Sequence, residues 1–561
     1  MKKLNILLLA IFLLPGFANA AYELANERKR GRRLNSIDAI LRQKDEQIDM
    51  STAALVLSRD WGTKKTMHSY RRKIDDMAQE ILARMDERNI PFDYHAIPVI
   101  NQHLFKDLGF SSVANADDPE DLFLHIVIDR RRGYCLSLSI LYLSVAERIG
   151  LPIYGVVVPG HFFVRYDDGV NRFNIETTSN GNTAPDKYYI DKHKPPADDN
   201  SIYMKNLTSK ETLGCFFNNL GNSYSMVGEN DYALIELERA VEVAGDLAEA
   251  RTNLGNIYLA SGFFDDAISQ YKYALEILPG DHRTHNNLGS AYTRIGLDSM
   301  AISEYFKAIK LKPNFADSHR NLASVYINQG FLSKAVQSLN KAASLEPNNS
   351  TTRRILADVY GELGQYTQAI PQYKICLQLE PDSVGASSNL AYAYLRTNRN
   401  KDAAMQFILA LKLDPYYLNA YYGLAEAYNK LSKTEEEIIV YSKILKIDSQ
   451  SLTALQNLGN AYFTQEEYAL AAETYLAALE VDNYNADLFH NLAVVYLRLN
   501  QYDDAADQYL QAVKLAPSNA SAHNGLAVCY YMLNDPKSSK KHAIKAKQLG
   551  FNVDKKLLGD E

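Results

Sequence analysis

Residues 133–178 read GYCLSLSILYLSVAERIGLPIYGVVVPGHFFVRYDDGVNRFNIETT. Cys135 opens a segment whose apolar positions Leu138, Leu141, Tyr142, Val145 and Ile149 keep helical spacing. Gly150 followed by Pro152 stops it: glycine accepts the left-handed turn after the last helical residue, and proline cannot extend the helix. Residues 153–158 and 161–166 then read as strands, and Asp168-Gly169 turns the chain into a third strand over 172–177. This helix-then-hairpin order predicts that Cys135, His161 and Glu176, each at the edge of a regular element, are brought together.

A thiol, an imidazole and a carboxylate form a set for acyl chemistry. The thiol attacks as a thiolate, which a helix N-terminus stabilises. The imidazole holds the proton and returns it to the leaving group, and the carboxylate orients the imidazole. Arg130, Arg131 and Arg132 precede the helix and are expected to add positive potential. At these residues the sequence resembles the transglutaminase-like superfamily of papain-related cysteine hydrolases. The shared pattern is Gly133-x-Cys135 opening a helix, Gly150-Leu151-Pro152 stopping it, His161 starting a strand, and Glu176 before Thr177-Thr178 ending the next. The resemblance implies an α+β papain/transglutaminase-like domain with Cys135 as nucleophile, His161 as base and Glu176 as orienting group. Two departures stand: the third residue is more usually Asp, and the spacing from carboxylate to threonine is met only at Thr178. Residues 101–110 and 130–133 also look similar to a branch of the family that often lacks the cysteine; this chain has it.

From Gly214 the chain repeats with a period of 34 for ten copies. The anchor is a leucine, from Leu220, Leu254 and Leu288 to Leu526, and a tyrosine follows four residues later, from Tyr224 and Tyr258 to Tyr530. Small residues recur at Ala267, Ala301, Ala335, Ala369, Ala403, Ala471 and Ala505, and most are followed by an aromatic such as Tyr271, Tyr305 or Phe407. Prolines such as Pro279 and Pro313 close six copies. Small residues let two antiparallel helices approach, and large ones fill the space between them. The pattern resembles the tetratricopeptide repeat over residues 214–553, which implies an all-α superhelix with a concave groove. The position before the anchor is asparagine at Asn219, Asn253, Asn287, Asn321, Asn389, Asn457 and Asn491. In the repeat family it faces the groove, where an amide can hold a peptide backbone; equally, asparagine is simply common there. Repeat seven departs, with Glu437, Ile444 and Ser449 replacing two small residues and the proline. Drift compensated within the repeat is expected there, ahead of a hinge or partner contact.

The rest of the chain sets limits. Hydrophobic residues make up 47% and charged residues 23%, a composition that folds. Residues 1–20 read as a cleaved secretory signal, with Lys2 and Lys3, an apolar run over 4–14 and Ala18-Asn19-Ala20. Removing those two lysines takes the formal net charge from −7 to −9, which argues against nucleic acid as a partner. No later stretch qualifies as a membrane span, so a periplasmic or secreted protein is expected. Arg28, Lys29, Arg30, Arg32 and Arg33 are expected to form a solvated arm. Residues 34–86 read as helical, with Ala53, Ala54, Leu57 and Trp61 on one stripe and Ile74, Met77, Ile81 and Met85 on another; they are expected to pack on the Cys135 domain. Residues 115–121 read as an acidic surface turn. Cys376 and Cys529 occupy core slots of the repeats, leaving Cys215 as the one partner for Cys135 in a disulfide. No CxxC, HExxH, Walker or GxSxG motif is present, so neither a cofactor nor a metal is expected.

The expected organisation is a signal over 1–20, the transglutaminase-like domain with N-terminal helices over 21–205, ten repeats over 206–553 and a tail over 554–561. The expected function is thiol-dependent amide hydrolysis or acyl transfer, on a protein or extended peptide bound by the repeats. The alternative is a non-catalytic scaffold.

Overall fold

In the computed structural model, which describes residues 36–58, 67–113, 118–197 and 201–558, the central helix runs Cys135–Ile149, as its periodicity predicts. Gly150 ends it in the left-handed conformation at φ 81°. The signal segment, the basic cluster, Trp61 and the start of the acidic loop lie outside the described residues. Nearly every side chain from Leu136 to Ile149 is buried, as befits a helix apolar on all sides. Helices Met50–Leu57 and Met67–Glu87 pack against it, the second through Ile74, Ile81 and Met85. Arg148 makes this junction polar as well as apolar. Its buried guanidinium donates to Asp75 (2.5 Å) and to Ser51 (2.8 Å), which offsets the cost of taking the charge out of water.

Two sets of strand pairings position Cys135, His161 and Glu176. β1 (Ser111–Ser112) pairs in parallel with β2 (Arg132–Gly133), immediately before Cys135. β3 (Ile153–Val158), β4 (His161–Asp167), β5 (Arg172–Glu176) and β6 (Asn182–Ala184) form one antiparallel sheet in that order. Val158 pairs with His161, so Pro159-Gly160 is a tight turn, with Gly160 at φ 73°. β1, β2 and β6 have two or three residues each, too short for a periodic signal.

The acidic loop is not merely a surface turn. Pro119–Leu122 is a 3-10 turn whose Asp121 is only 2% exposed and accepts from Arg130 (3.0 Å) and Arg132 (3.1 Å). Arg130 also meets Asp118 and Glu120, and Arg131, at φ 55°, donates to the Leu108 carbonyl. The positive potential expected beside Cys135 is therefore largely neutralised. These arginines hold the segment before the helix in place.

The chain divides into two compact units, Met1–Asn321 and Leu322–Glu561. The first contains, besides the elements above, the paired helices Ser209–Met226 to Asp298–Leu311. The second continues in pairs from Leu332–Leu345 to Pro536–Gln548. Helices approach closely where the repeat carries glycine: a Cβ on Gly255 would lie 2.7 Å from the Tyr271 ring, and one on Gly289 2.7 Å from Tyr305. Cys376 and Cys529 are fully buried core residues, as expected. In repeat seven Glu437 is buried, and burial holds its carboxyl above the usual carboxylate range. The Asn429 amide donates to it at 3.2 Å, so the substitution is met within the repeat. Among the described residues no helix is long and apolar enough to cross a membrane.

A further periodic bond escapes residue-by-residue reading. Three positions before the anchor, Arg251, His285, His319, Arg353, Tyr421 and His523 each reach the backbone carbonyl six residues earlier, on Gly245, Pro279, Pro313, Pro347, Pro415 and Pro517. The bond gives a carbonyl in the turn between repeats a partner.

At His523 this bond has a consequence for stability. Its Nε2–H donates to the Pro517 carbonyl at 3.2 Å, and its Nδ1 lies 3.1 Å from Nδ1 of His542. Burial, with His523 and Lys541 alongside, lowers the His542 pKa to about 4. A folded-state pKa below the unfolded value means that the unfolded chain takes the proton first. Stability is thus expected to fall as pH drops from about 6.5 towards about 4, by about 1–2 kcal/mol from this group once solvent screening of a half-buried ring is allowed for. Urea unfolding at pH 7 and pH 4.5 should show a larger loss for the wild type than for His542→Gln.

Candidate active site

Gly133 fits its place because any side chain there would collide: a Cβ would lie 2.6 Å from Ser137 Oγ. That hydroxyl accepts the Tyr134 N–H (2.9 Å) and donates to the Asp121 carbonyl (2.8 Å), tying the helix start to the 3-10 turn. Cys135 is thereby held, half-buried, as the first helical residue.

His161 opens β4 directly after the left-handed Gly160. Its Nε2 lies 2.7 Å from Glu176 Oε2, and the imidazole also hydrogen-bonds Cys135. Burial alone would lower its pKa, but these two partners outweigh it and raise the value to about 9. The ring is therefore an imidazolium at neutral pH, placed beside the Cys135 sulfur. Glu176 ends β5. Its Oε1 accepts the Thr178 N–H (3.1 Å) and hydroxyl, and its Oε2 also accepts Tyr189 O–H (3.1 Å). Burial pushes its carboxyl up, and His161 with the two Thr178 donors brings it below the usual carboxylate range. Both threonines after Glu176 are engaged: Thr178 on the carboxylate, Thr177 on Ser139 (3.0 Å) and the Cys135 carbonyl (3.4 Å). The structure brings Cys135, His161 and Glu176 together.

Two aromatic neighbours of His161 carry no signal in the sequence. Helix Asp186–His193 supplies Tyr189, fully buried and stacked on Phe163 with ring centres 3.9 Å apart, and His193, stacked on His161 at 5.3 Å. His193 Nδ1 is 3.0 Å from the Pro159 carbonyl. No motif marks these residues; the helix is brought over the sheet by Arg165 and Asn174, both bonded to Asp186. All four cysteines are free thiols, so no Cys135–Cys215 disulfide is formed. Burial, with nearby negative charge, pushes the Cys215 thiol well up.

Cys135 and His161 open into a cavity of about 880 Å³. Its other walls come from the first repeats and include Asn219, Asn253 and Asn287 of the asparagine row, with Asn218, Asn256 and Asn286 beside them. Several amides of the row bind their own array. Asn219 donates to the Cys215 carbonyl (3.2 Å), Asn253 to Asn218 (2.9 Å), Asn287 to Asn256 (2.9 Å) and Asn321 to Asn286 (3.1 Å). In the second unit Asn389 donates to Asp358 (3.0 Å), Asn457 bonds Tyr441, and Asn491 is half-buried. The row thus forms part of a ladder between repeats. The cavity in the first unit contains three of its seven members. A second cavity of about 610 Å³ shares Asn256 and Asn287 and reaches Arg294.

Residues 68–210 match the transglutaminase-like superfamily. Tetratricopeptide repeat families match residues 219–282, 252–314, 356–417 and 490–539, and further repeats match 316–349, 418–451 and 459–500. A UPF0162 protein of Xylella fastidiosa is 33% identical over 132 residues, 22% of this chain and 45% of the relative. One from Pseudomonas aeruginosa is 26% identical over 178 residues, 31% of this chain and 63% of the relative. The chain thus spans about half the length of the curated relatives it matches. Among solved structures, PilF of Pseudomonas aeruginosa is 19% identical with a TM-score of 0.36, covering 39% of this chain and all of PilF.

Proposed function

We propose that this chain, a transglutaminase-like domain followed by tetratricopeptide repeats, attacks an amide carbonyl with the Cys135 thiol while its first repeats hold the polypeptide that bears the amide. The observation that carries this reading is the shared cavity: Cys135 and His161 face the same space as Asn219, Asn253 and Asn287.

Attack by the thiolate forms the carbon–sulfur bond. His161, protonated by virtue of its two partners, gives its proton to the departing amine as the carbon–nitrogen bond breaks. Glu176, fixed by Thr178 and Tyr189, keeps the imidazole aligned. The resulting thioester is then open to water, giving hydrolysis, or to a second amine, giving acyl transfer. In either case His161 takes the proton of the incoming nucleophile. Beyond its ladder bond, each asparagine in the cavity retains amide capacity for a peptide backbone. The segment 1–20, read as a signal, supports a periplasmic or secreted location.

The test is to incubate the protein with a peptide digest of casein, quench in acid and examine the Cys135 peptide by mass spectrometry. A peptide-linked thioester is expected in the wild type. It should fall about tenfold in Asn253→Ala/Asn287→Ala and be absent in Cys135→Ala. No adduct in the wild type, and no peptide cleaved or cross-linked, would leave the chain a scaffold.

A further inference from the structure

The Pro159-Gly160 turn that presents His161 is held from outside its own sheet. The Gly160 N–H donates to Glu249 Oε1 at 3.1 Å. Glu249 stands in the first turn of the repeat helix Ala248–Ala260, 89 residues further along the chain. Its other oxygen accepts the hydroxyl of buried Tyr203, and that hydroxyl in turn accepts the Ala248 N–H at 3.1 Å. A repeat helix start, a buried tyrosine and a carboxylate thus form one chain of hydrogen bonds ending on the residue before His161. On the other side His193 lies against the Pro159 carbonyl. Glu249 and Gly160 line the cavity into which Cys135 and His161 open.

We propose that Glu249 is a positioning residue: through the Gly160 N–H it fixes the turn that aims His161 between Cys135 and Glu176. On this assignment the repeat array acts on the acyl chemistry as well as holding the polypeptide. The inference rests on the Cys135 reading above and adds to it that reactivity depends on a residue of the repeats. A displacement of the imidazole of about 1 Å is enough to cost a large factor in rate.

The experiment uses the full-length chain and measures the second-order rate of Cys135 alkylation by iodoacetamide from pH 6 to pH 10, by peptide mass spectrometry. Glu249→Ala is expected to slow it about tenfold at pH 7 and to move the pH profile towards that of an unassisted thiol. Glu249→Gln keeps an oxygen for the Gly160 N–H and should stay within about threefold of the wild type, profile included. The groups facing the Cys135–His161 pair, namely Glu176, Tyr189, His193 and Cys215, are unaltered in both variants. Circular dichroism reports folding, and if Glu249→Ala does not fold, Glu249→Asp, which withdraws the carboxylate by one methylene, is judged by the same rate and profile. Fast alkylation with an unchanged profile in Glu249→Ala, or Glu249→Asp in its place, overturns the positioning role alone. Alkylation of wild-type Cys135 no faster than that of Cys376 overturns the thiolate reading and the Glu249 assignment with it.

Discussion

Cys135→Ala is expected to remove all fast thiol labelling from the protein and all acyl chemistry with it, while leaving the fold intact. The other three thiols cannot stand in for it. Cys376 and Cys529 are fully buried, and burial pushes the Cys529 thiol to about 12. Cys215 is buried in an apolar cluster with its thiol also pushed up. Cys135 is half-buried, stands at a helix N-terminus and has an imidazolium partner. Its alkylation should exceed that of Cys376 by at least about a hundredfold at pH 7. A small side chain at a helix start loses little packing, so the alanine variant should unfold within about 1 kcal/mol of the wild type. His161→Ala should slow alkylation of the remaining Cys135 about a hundredfold. Glu176→Gln should slow it less, about tenfold, because the imidazole stays and only its alignment and charge partner weaken. Full activity on a verified substrate in Cys135→Ala would remove the site assignment.

Arg165→Met is expected to be the most damaging single change outside the catalytic set. Arg165 lies on β4, completely buried, and spreads its guanidinium over three acceptors: Asn174 Oδ1 at 2.7 Å, the Met204 carbonyl at 2.8 Å and Asp186 Oδ1 at 2.8 Å. Burial pulls its pKa below the usual arginine range, with Asp186 opposing, so the charge persists through its acceptors. Methionine fills much of the volume but strands all three. Because Asp186 is 43% exposed and regains some water, the loss should be about 3 kcal/mol, at the low end for a broken buried pair. Lysine should not rescue it, since one ammonium cannot match a planar fork aimed at three sites. The damage should reach the site, because Asp186 begins the helix that places Tyr189 on Glu176 and His193 on Pro159. Urea unfolding monitored by tyrosine fluorescence gives the stability, and Cys135 alkylation in the folded fraction should slow as well. A variant with wild-type stability would mean that the sheet and helix are held by apolar packing alone.

A structural feature is legible in the sequence when the signal that encodes it acts over a short range. Helix Cys135–Ile149, its glycine stop, the hairpin after it and the repeat period are local or strictly periodic, and so are visible along the chain. Cys135, His161 and Glu176 are legible because each sits at an element edge within one short stretch. Tyr189 and His193 are not, because no spacing relates them to His161; a buried arginine further along the strand that His161 opens brings them there. The acidic loop misleads for a similar reason: a run of acids looks solvated until the arginines that neutralise it are seen in space.

The amino-acid sequence by itself determined the order of elements, the repeat register and the three residues most suited to acyl chemistry, because hydrophobic period, glycine and proline act over a few residues. Only the tertiary structure decided which donors meet which acceptors. Arg251, His285 and Tyr421 form the same bond with different side chains, so the repeat keeps a donor rather than a residue type. The joining of the Cys135 site to the first repeats in one cavity, and the hold of Glu249 on Gly160, are likewise long-range. They arise where separate segments close over shared space, and no local preference encodes them.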